Sequence, residues 1–356
     1  MPLLLSSMRS KPFTWLLHIA LAIIIVGACV THFFGEQGEI HLRADKAQTL
    51  NYQSQITNYQ SKVSLFLWDF QILNDDAGNP VDYISELRLL DRSAKKQTAN
   101  GQELTAIDEG IVRMNKPLKY HDWRFCQSDY DSDGQGVVLA YNYDPWGIGI
   151  TYTGYALLLV AMVGFFFQKR SRFRALLQQQ HTWLMAGLGV AVVVLAYVMT
   201  KVVTPKPPLQ PVLQTPLLGI HVSVIMVAYT LFAVVMVNGI IGLSSKRLAE
   251  KTYTLSSVLL YPAEFCLTAG IFLGAVWANM SWGRYWGWDP KETWALITMI
   301  VYALLIHGPW IAGKLKMKPS ALIVTYHIAG IVAFLFVLFT YFGVSYLLGG
   351  LHSYAN

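Results

Sequence analysis

A short segment between two apolar stretches carries four tryptophans, one tyrosine and four charged residues, in the order Trp282-Gly283-Arg284-Tyr285-Trp286-Gly287-Trp288-Asp289-Pro290-Lys291-Glu292-Thr293-Trp294. Aromatic residues of this kind collect where a membrane span meets water, so an anchoring loop is one interpretation. An anchor has no need of two Trp-Gly pairs, which let the backbone approach a ligand closely, or of charges among the rings. We therefore predict an aromatic platform for a flat, amphipathic ligand.

Four of the nine histidines form two pairs, one for each side of a membrane. His18 lies a few residues into the first apolar run and His307 near the cytoplasmic end of the sixth; we name them the inner pair. His221 and His352, the outer pair, lie at or just beyond the opposite ends of the fourth and seventh runs. Ionisable groups at membrane depth tend to mark ligand sites, although a single histidine also serves as a hydrogen-bond partner between helices. Because neutral imidazole is an axial ligand of haem iron, each pair could hold a porphyrin by two axial bonds.

The other histidines and the cysteines offer no comparable site. We interpret the remaining histidines as structural and keep the first of them, at the end of a span, as a minor candidate: His32, His41, His121, His181 and His327. The three cysteines lie far apart and form no Cys-x-x-Cys, which excludes a thiol–disulfide relay, a zinc knuckle and a covalently bound c-type haem. Metal chemistry must therefore come from histidine.

The composition is that of an integral membrane protein. The chain has 356 residues, of which 54% are hydrophobic and only 13% charged, whereas a soluble domain carries about a quarter charged residues. The formal net charge of +6 gives no reason to expect nucleic acid, because the basic residues collect in short loops between apolar runs.

Seven apolar runs are long enough to cross the hydrocarbon core, which takes about 20 residues. They are Phe13–Phe34, Ile148–Gln168, Thr182–Thr200, Leu217–Leu243, Leu255–Ala278, Thr293–Ala312 and Ser320–Leu348. The first is kept as a span and not a signal peptide, because its apolar core is too long and contains His18.

Clusters of Lys and Arg alternate onto one side of these spans, at 9–11, 169–174, 246–251 and 314–318. The positive-inside tendency makes that side the cytoplasm. We therefore expect a protein of the bacterial cytoplasmic membrane with its N-terminus inside, and with its C-terminus and the tryptophan loop (residues 279–292) outside.

The predicted fold class is mainly α: a polytopic membrane helix bundle of about seven transmembrane helices, with a small extracytoplasmic β-rich domain between helices 1 and 2. We predict a first segment 1–34, the β domain 35–147, a second span 148–168 and a helical part 169–356. Alternating apolar residues predict strands at 65–70, 83–87 and 136–141. Asp129, Asp131, Asp133 and Gly134 resemble the start of a calcium loop, but the twelfth position is Ala140, so a turn is predicted.

Two parts of the chain resemble the two halves of system II cytochrome c synthases. The segment Trp282–Trp294 with Ala295-Leu296-Ile297-Thr298, and the terminal Gly350-Leu351-His352-Ser353-Tyr354, resemble the CcsA (ResC) half. Val112-Arg113-Met114-Asn115-Lys116-Pro117-Leu118-Lys119-Tyr120 and Tyr143-Asp144-Pro145-Trp146-Gly147 resemble the last span and outer domain of the CcsB (ResB) half. Together they cover nearly the whole chain in the order of a fused CcsB–CcsA protein with a shortened CcsB half. The family usually has an arginine two residues after its inner histidine, where this chain has Pro309.

The resemblance implies a haem lyase that moves haem b across the membrane and joins it to Cys-x-x-Cys-His of apocytochrome c. In such a protein His18 and His307 would ligate haem within the membrane, and His221 and His352 would ligate it outside. We expect four tryptophans to line the haem face while Asp289 fixes the loop or meets a polar edge of the ligand: Trp282, Trp286, Trp288 and Trp294. Thiol-reducing proteins and membrane lipid are further expected partners.

Two other functions are compatible with the same residues. One is a haem exporter or chaperone without ligase activity. The other is an electron-transfer membrane subunit with permanent bis-histidine haem. The tryptophan loop, which we expect to be open to water, favours a site that must release its product and hence the synthase.

Overall fold

The computed structural model describes residues 11–43, 48–53, 60–97, 103–169, 171–179, 182–203, 210–348 and 350. The helices are α1 Pro12–Phe34, α2 Gly147–Phe167, α3 Arg172–Leu177, α4 Thr182–Val203, α5 Pro216–Ser244, α6 Ala249–Ser281, α7 Pro290–Lys314, α8 Pro319–Leu338 and α9 Val344–Leu347. A 3₁₀ turn lies at Pro211–Leu213 and a π-helical turn at Phe339–Gly343. The strands are β1 Glu36–Arg43, β2 Gln48–Gln53, β3 Gln60–Asn74, β4 Pro80–Gln97, β5 Glu103–Arg113, β6 Leu118–Tyr120, β7 Trp123–Tyr130 and β8 Gly136–Tyr143.

Each of the seven predicted spans lies within or along a long helix. Within the described residues six helical segments are long and apolar enough to cross a membrane, and α4 adds the shorter apolar stretch Leu188–Tyr197. The last span is one helix interrupted by the π-helical turn between α8 and α9. The predicted fold class is confirmed, and the chain is an integral membrane protein.

Helices α1 and α2 cross closely because glycine stands at their contact. A Cβ on Gly27 would lie only 2.7 Å from the backbone nitrogen of Thr151. A Cβ on Gly154 would lie 3.0 Å from the backbone nitrogen of Ile24. Membrane helices usually pack through small residues that let two backbones approach closely, because in lipid no hydrophobic effect drives the helices together.

The second helical group is built around α5, α6, α7 and α8. Its buried core contains residues from all four helices, among them Phe232, Leu260, Tyr302 and Ala333. The rings of Phe232 and Tyr302 stack with centroids 3.6 Å apart. The group is joined to α1 and α2 through Phe265, Ala269 and Phe272 of α6, which pack on the cluster around Leu158.

The β domain is a pair of antiparallel sheets inserted between α1 and α2. Strand order is β1-β8-β7-β6 in one sheet and β2-β3-β4-β5 in the other. Their facing sides bury a core that includes Leu42, Leu65, Leu87, Trp123 and Phe125. The predicted strands 65–70, 83–87 and 136–141 lie within β3, β4 and β8.

Of the aspartates that resemble a calcium loop, Asp131 and Asp133 lie in the turn between β7 and β8, as predicted, and Asp129 lies in β7. The backbone N–H of Gly134 donates to the carbonyl of Asp131 at 2.9 Å. The carboxylate of Asp131 pairs with Arg43 and lies 2.9 Å from His41 Nε2, and Asp133 also pairs with Arg43. These carboxylates therefore have protein cations as partners.

Candidate functional site

The structure brings His18 and His307 together, although they lie on two different helices, α1 and α7, and are 289 positions apart in the sequence. Their ring centroids are 6.3 Å apart with the planes at 83°. Two metal–imidazole bonds of about 2 Å, plus roughly 1 Å from each Nε2 to its ring centre, place two axial ligands about 6 Å apart. The separation of the inner pair is thus that of two histidines on one iron. Both side chains are exposed on the surface of the helix bundle.

Both rings of the inner pair are held in the tautomer that leaves the Nε2 lone pair available to a metal. His18 Nδ1 lies 2.7 Å from the carbonyl oxygen of Thr14, and His307 Nδ1 lies 2.7 Å from that of Ala303. A carbonyl oxygen can only accept, so each Nδ1 carries the proton in the neutral imidazole. The lone pair then resides on Nε2, and the hydrogen bond also fixes the ring about its axis.

His221 has the same arrangement on α5. Its Nδ1 donates to the carbonyl oxygen of Gly270 on α6 at 2.7 Å, which again leaves the lone pair on Nε2. Gly274, one helical turn further along α6, makes room for the ring: a Cβ there would lie 2.7 Å from His221 Cε1 and 2.9 Å from Nδ1. A larger side chain at Gly274 would therefore displace the imidazole.

The other member of the outer pair, His352, lies outside the described residues. Gly350, two positions before it, packs beside the tryptophan loop, where a Cβ would lie 3.0 Å from Cδ of Pro290 and closer still to Asp289. Lys291 Nζ also donates to Ser345 Oγ of α9 at 3.0 Å. Convergence of His221 and His352 stays a prediction.

The tryptophan loop is shaped by a helix cap. Asp289 is the N-cap of α7, and its carboxylate accepts from the backbone N–H of Lys291 at 3.0 Å. Glu292 completes the capping box by accepting from the N–H of Asp289 at 3.2 Å, and it accepts a second bond from Gly287 N–H at 2.8 Å. These contacts favour the first of the two predicted roles of Asp289, fixing the loop.

The four tryptophans do not lie in one plane. Trp286 and Trp288 meet edge to face with centroids 5.9 Å apart, and Trp288, which has a φ of 56°, is 71% exposed. Trp282 packs on Trp277 of α6 at 4.8 Å, and Trp294 packs on Phe339 of the π-helical turn at 4.3 Å. The structure therefore brings Trp286 and Trp288 together and places Trp282 and Trp294 against other aromatic partners.

A buried chain of hydroxyls ties the tryptophan loop to α1, α2 and the β domain. Tyr285 OH lies 2.5 Å from Thr31 Oγ1 of α1, and Thr31 donates to the carboxylate of Asp144. Thr151 of α2 donates to the Tyr285 oxygen at 3.2 Å. Burial raises the pKa of the Tyr285 hydroxyl, so it stays a donor at physiological pH. The direction of donation is then Thr151 to Tyr285 to Thr31 to Asp144.

Two further bonds join the β domain to the loop. Asn142 Nδ2 of β8 donates to the carbonyl of Gly283 at 2.6 Å. Ser281 Oγ, at the end of α6, donates to Oδ1 of Asn115, which has a φ of 60° in the turn after β5. Sequence analysis could not predict these pairings, because the partners are far apart in the chain and neither motif indicates which residue it will contact.

Two charged residues of the helix bundle were missed by sequence reasoning. Arg172 belongs to the basic cluster that orients the second span, and it donates to the carbonyl of Ile306, next to His307, at 3.5 Å, and to Tyr253 OH at 3.3 Å. Glu264 is the sole acidic residue within the seven apolar runs of the sequence. One of its carboxyl oxygens, like the hydroxyl of Tyr302, has no hydrogen-bond partner among the described residues. An acidic residue within a membrane span tends to mark a functional site, so Glu264 could have been singled out from the sequence.

The histidines interpreted as structural have local contacts where they are described. His41 binds Asp131, His121 packs on Tyr120, and His32 packs on Phe33. His327 is buried, with Nε2 3.0 Å from the carbonyl of Ala249. His181 lies outside the described residues.

Cys126 lies beneath the loop and is expected to be unreactive. Burial raises the pKa of its thiol to about 12, so at pH 8 roughly one thiol in ten thousand is ionised, against about a quarter for an ordinary cysteine. In a chain with Cys29 and Cys266 changed to Ser, we expect iodoacetamide to alkylate Cys126 at least a hundredfold more slowly than a cysteine introduced by Ser128→Cys. Equal rates in the folded protein would contradict the burial of this thiol.

Comparison with known proteins gives a match for each part of the chain. Residues 148–352, more than half of the chain, match the family described as cytochrome C assembly protein, and residues 10–144 match the ResB-like family. Protein NrfI of Wolinella succinogenes is 38% identical over 159 residues, which is 42% of this chain and 17% of that protein. Cytochrome c biogenesis protein CcsA of Chlamydomonas reinhardtii is 39% identical over 158 residues, or 41% of this chain and 43% of that protein. The chain thus spans less than half the length of these relatives.

Proposed function

The chain belongs to the cytochrome c assembly protein family, in the fused CcsB–CcsA arrangement of system II, and from that premise we propose that it is a cytochrome c haem lyase. Its role lies in haem handling for cytochrome c biogenesis. The proposed substrates are haem b and an apocytochrome c with a Cys-x-x-Cys-His motif. The proposed location is the bacterial cytoplasmic membrane, with the tryptophan loop on the outer face.

The single observation that carries the proposal is the geometry of the inner pair. His18 comes from the ResB-like half and His307 from the assembly half, and their rings stand 6.3 Å apart with both Nδ1 atoms bonded to carbonyls. Two helices that carry imidazoles at one depth, each with its Nε2 lone pair available to iron, support bis-histidine binding of haem from the bilayer. Arg172, beside His307, is a cation suited to a haem propionate.

The outer site is proposed to receive the same haem beside the tryptophan loop. His221 supplies one axial nitrogen, with Gly270 and Gly274 fixing its ring and giving it space. His352 is proposed as the second ligand, which the histidine of the substrate motif replaces. Trp286 and Trp288 offer their rings to the porphyrin face, while Trp282, Trp294 and Asp289 hold the loop that presents them.

The proposed reaction requires the protein to position the thiol and vinyl groups and to ligate the haem iron. Each cysteine S–H adds across one haem vinyl C=C, so that sulfur bonds one carbon and hydrogen the other. Nothing leaves and no net oxidation occurs. The catalyst therefore has to hold thiol and vinyl in contact and set the iron ligands. A supply of reduced thiols is the proposed task of separate thiol-reducing proteins.

The test is co-expression of the whole chain with an apocytochrome c that carries Cys-x-x-Cys-His. We expect haem that stays on the cytochrome after acid denaturation and acetone extraction. A substrate with Ser-x-x-Ser-His is the matched control and should retain none. Haem bound to the purified membrane protein without any covalent product would instead identify a haem exporter or chaperone and overturn the lyase.

A further inference from the structure

Two neighbouring cavities form one groove along the β domain beside the tryptophan loop. The first, of about 330 Å³, lies between strands β1, β7 and β8 and the loop residues Trp282, Gly283 and Arg284. The second, of about 400 Å³, lies between the β domain and residues 210–212. Gln127 and Ser128 of β7 line both cavities, so the two join there. We name the combined surface the domain groove.

The wall of the domain groove is fixed by contacts already in place. Asn142 donates to the carbonyl of Gly283, whose φ of 73° turns the loop toward the sheet. A Cβ on Gly283 would lie 3.2 Å from Cys126 Sγ, so the loop backbone rests directly on β7. A groove held this way is largely preformed, as ligand sites usually are.

The lining of the domain groove suits a polypeptide better than haem. The first cavity presents the exposed side-chain amide of Gln37 and one charge of each sign, from Glu39 and Arg284. The amides of Gln127 and Asn142 also line it, but they already bond Ser85, Asp129 and Gly283 and so shape its wall. Amides pair with the N–H and C=O groups of a peptide backbone. The second cavity has aromatic walls from Tyr83 and Tyr130, whose ring centroids are 5.1 Å apart. Among the described residues that line the two cavities there is no histidine, so the groove offers no bis-histidine site for haem iron.

The shape of the domain groove selects an extended ligand. Ser128 is the extra residue of a β-bulge, since the register between β7 and β8 shifts between Gln127 and Asp129. A bulge bends its strand locally, and this one lies where the two cavities meet. A compact molecule would fill one cavity, whereas an extended chain that crosses Ser128 fills both.

We propose that the domain groove binds the substrate polypeptide, an extended segment of apocytochrome c that includes its Cys-x-x-Cys-His motif. The groove ends at Trp282 and Arg284, so the chain delivers its thiols to the tryptophan loop. This inference rests on the proposed function, because it assumes that haem is attached at that loop.

The test compares Ser128→Trp, which blocks the junction of the two cavities, with Ser128→Ala. The probe is a fluorescein-labelled synthetic peptide that carries Cys-x-x-Cys-His, titrated into the full-length protein in detergent. We expect Ser128→Trp to weaken the Kd at least tenfold and Ser128→Ala to leave it unchanged, with the haem spectrum of both as in the wild type. A benzoylphenylalanine at Gln37, in the groove, should cross-link the peptide, and one at Glu109, an exposed residue of β5 that does not line the groove, should not.

Three results would overturn the inference: no binding of the peptide by the wild type, wild-type affinity in Ser128→Trp, or loss of the haem spectrum in Ser128→Trp. The last would mean that the tryptophan acts by disturbing the loop. Failure of the proposed function looks different, since the wild type would then bind the peptide while no acid-resistant haem formed.

Discussion

Replacing either member of the inner pair, by His18→Ala or His307→Ala, is expected to lower the haem content of the purified protein by at least tenfold. The rings are 6.3 Å apart and both present Nε2 for a metal, so each variant removes one of two axial bonds to a shared iron. A tenfold loss of affinity corresponds to about 1.4 kcal/mol. Any haem that remains should change from a six-coordinate to a five-coordinate absorption spectrum. The double variant should lose little more than either single one, because residues that act as a unit are not additive.

The matched control for the inner pair is His327→Gln. His327 is a buried histidine of the same helix bundle, but its Nε2 is already engaged with the Ala249 carbonyl. This variant should lower thermal stability and leave the haem spectrum of the remaining folded protein unchanged. If His327→Gln and His307→Ala lose haem equally, the assignment of the inner pair is wrong.

The second large effect is expected at His221. His221→Ala and Gly274→Leu should each abolish the covalent product in co-expression while the inner pair still binds haem. Gly274→Leu leaves both proposed ligands in the chain, yet its side chain would occupy the space of the imidazole, since a Cβ alone would lie 2.7 Å from His221 Cε1. The predicted readout is a normal spectrum of membrane-held haem together with at least a hundredfold loss of acid-resistant cytochrome haem.

Gly219→Ala is the matched control for that experiment. Gly219 lies on the same helix two residues before His221, and a Cβ there would meet nothing within 4 Å. It should give the wild-type yield, which separates loss of the His221 ring in His221→Ala from a general effect of altering α5; Gly274→Leu reaches the same ring from α6. His352→Ala, in parallel, tests the partner ligand. Full activity of Gly274→Leu would remove His221 from the proposed site.

Much of the fold could be predicted from the sequence, because the positions and lengths of the apolar runs can be read directly along the chain. Each apolar run is close to or longer than the length that a bilayer requires, so the helices could be located to within a few residues. The inner pair could be proposed for a related reason: alternating direction of the spans brings His18 and His307 to one depth. That their rings actually meet depends on how α1 and α7 are arranged laterally, which depth does not determine.

The parts that sequence could not predict depend on backbone direction and on contacts between distant residues. The tryptophans were expected to line one face, but their order in the chain does not say where each ring points. Positive φ angles at Gly283 and Trp288 redirect the loop locally, and Trp294 lies inside α7, where helical geometry turns it toward Phe339. The Tyr285–Thr31 contact could not be predicted, because a threonine in an apolar span does not indicate which residue its hydroxyl will bond.

The junction between the helices and the β domain is short, which limits how far the two parts can move relative to each other. Only Gly35 separates α1 from β1, and Asp144 joins β8 to α2, where its carboxylate accepts from the N–H of Gly147 at 2.7 Å. Strands β1 and β8 pair from Glu36↔Tyr143 onward, so their pairing starts immediately after Gly35. A connection this short, together with the bonds of Thr31 and Thr151 to Tyr285, restricts rotation of the β domain relative to α1, α2 and the tryptophan loop. Under the proposed function, a substrate protein that displaces the β domain would therefore shift the tryptophan loop with it.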